Sequence, residues 1–68
     1  MKVIINGEPR EIEFVCFLAD LLRRVDLNPE AAGIAVARNG EVVPRRDLDR
    51  TPVGEGDRIE IVRAVQGG

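Results

Sequence analysis

The sequence is short of almost everything that catalysis usually draws on. Its 68 residues include no histidine, tryptophan or tyrosine, one cysteine and two phenylalanines. Without histidine the commonest general base and metal ligand is missing, and the lone Cys16 excludes an intrachain disulfide and any multi-cysteine zinc site. No metal site is therefore expected, nor redox-pair or Ser-His-Asp chemistry. Size points the same way. A domain of this length hides only ~60% of its unfolded surface, which leaves little interior for both a core and an enclosed substrate cavity. A self-sufficient enzyme is not expected.

Long apolar runs are missing too. The longest, Phe14 to Ala19, is far short of a membrane span, and the chain reaches Asn6-Gly7 before a signal-peptide core could form. No membrane partner is expected. The predicted location is the cytoplasm, in keeping with an unpaired cysteine. There is also no basic stripe. Lys plus Arg number 10 against 12 Asp plus Glu, for a net charge of -2, and no basic run exceeds the pairs Arg23-Arg24 and Arg45-Arg46. With no aromatic platform for bases either, nucleic acid is not an expected partner.

What is present is an aliphatic core, since 44% of residues are hydrophobic and nearly all of these are Val, Ile, Leu or Ala. Val3-Ile4-Ile5 is a β-branched run, and Arg10 to Phe14 alternates polar with apolar, so the two predict a hairpin around Asn6-Gly7-Glu8-Pro9. Leu18, Leu21, Leu22 and Val25 fall at i, i+3, i+4 and i+7, the apolar stripe of a short helix that ends near Asp26 to Asn28, before Pro29. Its start has no Ser, Thr or Asp cap, because Cys16 and Phe17 stand there, although Asp20 favours the positive helix end.

Ile34 to Arg38, Asn39-Gly40 and Glu41 to Val43 predict a second hairpin, ended by Pro44. An irregular polar stretch from Arg45 to Thr51 follows. The turn Pro52 to Asp57 then launches a last strand, Arg58 to Val65. The predicted order is β-β-α-β-β-β. One helix among strands buries its stripe across one sheet face, so the predicted class is α+β, a mixed sheet of about five strands with one helix packed across it. The first and last strands are the most continuously apolar and are expected side by side in the centre.

Two features could carry function. The end of the chain, Val65-Gln66-Gly67-Gly68, loses all side-chain bulk after a strand, giving a predicted division into a domain at 1–64 and a flexible tail at 65–68. Such a tail can thread a narrow channel, and a terminal Gly carboxylate is unhindered for attack on a phosphate; the plain alternative is a frayed end. The sheet face away from the helix is the second feature. If Val3, Ile5, Ala35, Ala37, Ile59 and Ile61 face the helix, then Ile4, Val36 and Val62 are exposed and form a possible partner surface, with core as the alternative for Val36. Scattered surface apolar residues are the alternative. Arg58 and Arg63 either help steer the tail towards acidic partners or are merely solvated. For Cys16, a small buried apolar residue is favoured over a redox role.

The ordered set Asn6-Gly7-Glu8, Ala19-Asp20-Leu21-Leu22, Val36-Ala37, Asn39 to Arg45, Gly56 to Val62 and terminal Gln66-Gly67-Gly68 resembles the ThiS family of sulfur carriers, over essentially the whole chain. The departure lies at the helix entry, where Glu13 to Leu18 is bulky and a small polar residue is usual beside Phe17. The resemblance implies a ubiquitin-like β-grasp fold and a cycle. Gly68 would be adenylated by a ThiF-like adenylyltransferase, with Gln66 and Gly67 threading its channel. Sulfur from a cysteine desulfurase route would convert Gly68 to a thiocarboxylate, which thiazole synthase would use in thiamine biosynthesis. ATP and magnesium would belong to the activating enzyme, leaving this chain a protein co-substrate with no cofactor of its own. Two alternatives share parts of this pattern: the small subunit of molybdopterin synthase, and a ubiquitin-like modifier or adaptor. Gln66, the Arg45 region and the short length favour the thiazole route.

Overall fold

The computed structural model describes residues 1–15 and 17–63. Strands β1 (Lys2–Ile5) and β2 (Glu8–Glu11) pair antiparallel with Ile5 opposite Glu8. The turn between them is therefore Asn6-Gly7 alone, tighter than the four-residue turn the sequence predicts. Asn6 at φ 51° and Gly7 at φ 83° take the left-handed conformations that a two-residue turn following the sheet twist requires. Glu8 and Pro9 are thereby strand residues. Pro9 sits opposite Ile4, one step from the turn, where antiparallel alternation asks for no N–H. The ladder ends where Met1 and Ile12 exchange backbone bonds of 2.7 and 2.8 Å, so the predicted strand to Phe14 stops short. Phe14 is left 74% exposed, and Val15 turns into the core.

Helix α1 (Leu18–Arg24) buries Leu18, Ala19, Leu21 and Leu22 and begins at Phe17 without a side-chain cap. Its first amides find partners elsewhere. The N–H groups of Leu18 and Ala19 donate to the carbonyls of Thr51 and Leu48, each at 2.9 Å, so the loop before β5 does what a capping side chain would. The helix closes through a left-handed Asp26 (φ 64°), with Leu27 N–H donating to Leu22 C=O and Asp26 N–H to Arg23 C=O. Cys16, expected to be buried, lies outside the described residues.

Strands β3 (Ile34–Arg38) and β4 (Glu41–Val43) form the second hairpin about Asn39-Gly40, and β5 (Arg58–Arg63) completes a five-stranded sheet in the order β2-β1-β5-β3-β4. As expected, the first and last strands are adjacent at the centre, and they run parallel. The polar stretch after Pro44 contains a 3₁₀ turn, Arg45–Asp47, and then sends Leu48 into the core.

The helix covers one sheet face through Val3, Ile5, Val36 and Ile59. Burial of these side chains is the main stabilising term, at roughly 25 cal/mol per Å² of apolar surface. Val36 corrects the expectation that it is exposed: it is 2% accessible, paired with Ile61 on the helix side. The physical reason is volume. Ile34 and Val36 fill the space beneath α1 that Ala35 and Ala37 would leave empty, so Ala35 and Ala37 take the other face.

Candidate functional site

Strand β5 carries the end of the chain, and its position is fixed from both sides. The predicted tail residues Gln66, Gly67 and Gly68 lie outside the described residues, as does the end of the predicted strand beyond Arg63. On the β1 side, Asn6 N–H donates to Ile59 C=O at 2.9 Å. The Asn6 side chain then replaces the missing next residue of β1, accepting from Ile61 N–H at 2.8 Å and donating to Ile61 C=O at 3.2 Å. On the β3 side, Asn39 does the same at Arg58, with its Oδ1 accepting at 2.9 Å and its own N–H donating to Arg58 C=O at 2.7 Å. The two Asn-Gly turns thus hold the strand from which the last residues continue.

Asp57 anchors the start of that strand. Its carboxylate accepts from Gly54 N–H at 2.7 Å, Arg38 Nε at 2.9 Å and Asn39 Nδ2 at 3.1 Å. Burial alone pushes the carboxyl pKa up. The Gly54, Asn39 and Arg38 bonds, with the Arg38 charge, more than reverse this and hold it below its ordinary value. The sequence places Asp57 in the turn before the last strand without revealing its carboxylate as the anchor. The available signal is an Asp that directly follows Gly54-Glu55-Gly56 and opens a strand, where a short acceptor can close the turn.

The face of the sheet away from α1 is open. Ile4, Arg58, Glu60, Val62, Ala35, Ala37 and Val42 alternate onto it by register. Ile4 and Val62 therefore share this face, but they do not form one cluster: the paired position of Ile4 is Arg58, about 13 Å along β5 from Val62. Val62 (62% exposed), Val42 (75% exposed), Ala35 and Ala37 make the apolar patch. Val42 was missed because Glu41-Val42-Val43 gives no alternation to read. Val36 belongs to the core, as described above. Arg63 pairs with Ile34 on the helix side, where it borders a shallow groove of about 400 Å³ lined also by Arg10, Val25 and Leu27. It is therefore not part of the open face. Among the described residues no helix is long and apolar enough to cross a membrane, and no group of three or more Cys, Asp or Glu is placed to hold a metal ion.

A mixed sheet crossed by one helix, with the first and last strands parallel at its centre, defines a ubiquitin-like β-grasp protein. Comparison with known proteins narrows the class. Residues 3–68 match the ThiS family, and the chain belongs to it. The sulfur carrier protein ThiS of Thermus thermophilus is 35% identical over 66 residues, covering 97% of this chain and 98% of its own length. The crystal structure of the thiamine biosynthesis protein ThiS from Geobacter metallireducens superposes with a TM-score of 0.82 at 30% identity, covering both chains completely. A thiazole synthase of Paramagnetospirillum magneticum is 37% identical over 68 residues. The match takes in all of this chain but only 20% of that curated relative's length.

Proposed function

We propose that this chain is a sulfur carrier of thiamine biosynthesis whose reactive group is the α-carboxylate of Gly68. The observation that carries the reading is that the family match runs to residue 68, through Gln66-Gly67-Gly68, in a chain whose last strand is held centrally on both sides. The carboxylate attacks the α-phosphorus of ATP on a ThiF-like adenylyltransferase, releasing pyrophosphate and leaving an acyl-adenylate. A persulfide sulfur supplied by a cysteine desulfurase route attacks the carbonyl carbon and expels AMP. A thiol then cleaves the resulting S–S bond to give the thiocarboxylate, the sulfur donor for thiazole synthase. ATP and magnesium act on the activating enzyme. This chain contributes its terminal carboxylate and a docking face, so the catalytic groups reside in its partners.

The open sheet face is the surface proposed for docking these partners. Val62, Val42, Ala35 and Ala37 offer an apolar centre, and Arg58 and Glu60 offer polar contacts beside it. Finding a segment similar to this chain within a protein named thiazole synthase supports the choice of partner, since the similar segment is part of the same chain there. The test is intact mass after incubation with the adenylyltransferase, ATP and a persulfide donor. The expected gain is about 16 Da, sulfur replacing oxygen, confined to a peptide ending in Gly68. An unchanged mass with a partner that is active on another carrier overturns the reading. Rescue of a molybdenum-cofactor mutant but not a thiamine mutant would reassign the carrier to molybdopterin synthase, and isopeptide-linked products would reassign it to protein modification.

A further inference from the structure

The helix layer carries a second surface, separate from the open sheet face. Between α1 and the 3₁₀ turn Arg45–Asp47 lies an open groove of about 520 Å³. Its floor is apolar, formed by Ala19, Pro29 and Leu48, all buried. Three of the chain's arginines, Arg23, Arg45 and Arg46, stand around it. With two carboxylates, Glu30 and Asp49, also in the lining, the three arginines leave the groove a net charge of +1 in a protein whose net charge is -2.

The charges are unequally satisfied. Arg23 pairs with Asp20 at 3.3 Å, and Asp49 on the rim lies 3.9 Å from Arg50. Among the described residues, Arg45 and Arg46 are in no ion pair, and Glu30 and Asp49 are the rim carboxylates that partly offset them. The turn that presents the two arginines is fixed in place. It starts at Pro44 and is closed by Asp47 N–H to Pro44 C=O at 2.9 Å. It is tied to the helix by Ala19 N–H to Leu48 C=O at 2.9 Å, with the Leu48 side chain in the core. An occupant would therefore meet a preformed surface and would not have to order it.

We propose that this groove docks a short acidic segment of a partner protein, with one apolar side chain on the Ala19–Pro29–Leu48 floor and flanking carboxylates on Arg45 and Arg46. A bare anion would leave the floor uncovered, and a basic segment would meet two unpaired guanidinium groups. Carboxylate recognition by planar guanidinium groups adds directional hydrogen bonds to the charge attraction. The groove lies in the helix layer, across the sheet from the open face, so a partner held here leaves that face and the end of the chain free for a second protein. The carrier can then be retained by one protein while another acts on its terminus.

The test is a titration of the full isotope-labelled chain, followed by amide NMR shifts, with a synthetic peptide in which one leucine is flanked on each side by glutamates. A peptide with lysines in place of the glutamates, and inorganic phosphate alone, serve as comparison arms. The acidic peptide is expected to shift the amides of Ala19, Arg23 and Arg45 to Asp49, and to lose about tenfold in affinity on raising the salt to about 0.5 M. The double variant Arg45→Glu/Arg46→Glu should abolish binding, and Arg45→Gln/Arg46→Gln should weaken it, both with an unchanged melting temperature because these side chains are exposed. Shifts confined to the open face overturn the proposal. So does equal binding of the lysine peptide, saturation by phosphate at the same residues, or no shift at millimolar acidic peptide.

Discussion

Val36 and Val62 sit on neighbouring strands of one sheet, are chemically identical, and differ almost completely in fate: 2% of the first is exposed and 62% of the second. The register explains the difference. Val36 pairs with Ile61 and points under α1, and Val62 pairs with Ala35 and points into solvent. One residue of offset exchanges the two faces, so hydrophobicity alone does not say which valine serves the core and which is available to a partner. The covered face carries stability. The open face is the one proposed for recognition.

Substitutions should divide along the same line. The largest effect is expected on the covered side, where Leu21 is fully buried. Leu21→Ala should cost about 2–5 kcal/mol, a large share of what a domain of this size has, and lower the melting temperature by about 10 °C or more. Next comes Asp57, whose carboxylate ties the 54–57 turn to Arg38 and Asn39. Asp57→Asn should cost about 2 kcal/mol near neutral pH. Because the folded-state pKa is lowered, the stability that ionisation contributes is present above the ordinary carboxylate range and is lost as pH falls through the folded value. The stability difference between the two proteins should therefore begin to close as pH falls below about 4 and vanish only below the lowered folded-state value. A gap that persisted or widened in acid would mean that the charge is not what stabilises the turn.

Asn6→Ala should follow at about 1–2 kcal/mol, since it removes both side-chain bonds to Ile61 and leaves an alanine at φ 51°. The smallest effect on stability is expected from Val62→Ser, within about 0.5 kcal/mol, measured by the same denaturation. Its effect should appear in titration against the adenylyltransferase, as an affinity about tenfold weaker. A Val62→Ser protein as unstable as Leu21→Ala, or one that binds normally, would erase the contrast between the faces.

How far the sequence carries this picture depends on the element. The helix is legible because Leu18, Leu21 and Leu22 repeat at its period, and the second turn is legible because Asn39-Gly40 separates two apolar runs. The central placement of β1 and β5 is expected from their apolar content, Val3-Ile4-Ile5 in the first and Ile59, Ile61 and Val62 in the second, where Arg58 and Glu60 alternate onto the open face. The orientation of β3 is not legible, because Ile34-Ala35-Val36-Ala37-Arg38 is apolar on both faces and Arg38 in the inward set argues for the wrong choice. Arg38 is accommodated at the strand end by Asp57, a long-range partner that no local pattern reveals. The capping of α1 by Leu48 and Thr51 is hidden for the same reason: its donors and acceptors are some thirty residues apart. The role proposed for the end of the chain rests on composition and family pattern, which describe Gly68 chemically without reference to any fold.

The central claim, that the reactive group is the carboxylate at Gly68, is tested most directly by adding one alanine after that residue. The extended chain should melt with the unextended one, yet show no ATP-dependent mass gain with the adenylyltransferase and sulfur donor under conditions where the unextended chain gains about 16 Da, because the carboxylate has been moved off the point of attack. A full mass gain on the extended chain would contradict the account and place the modification elsewhere in the protein.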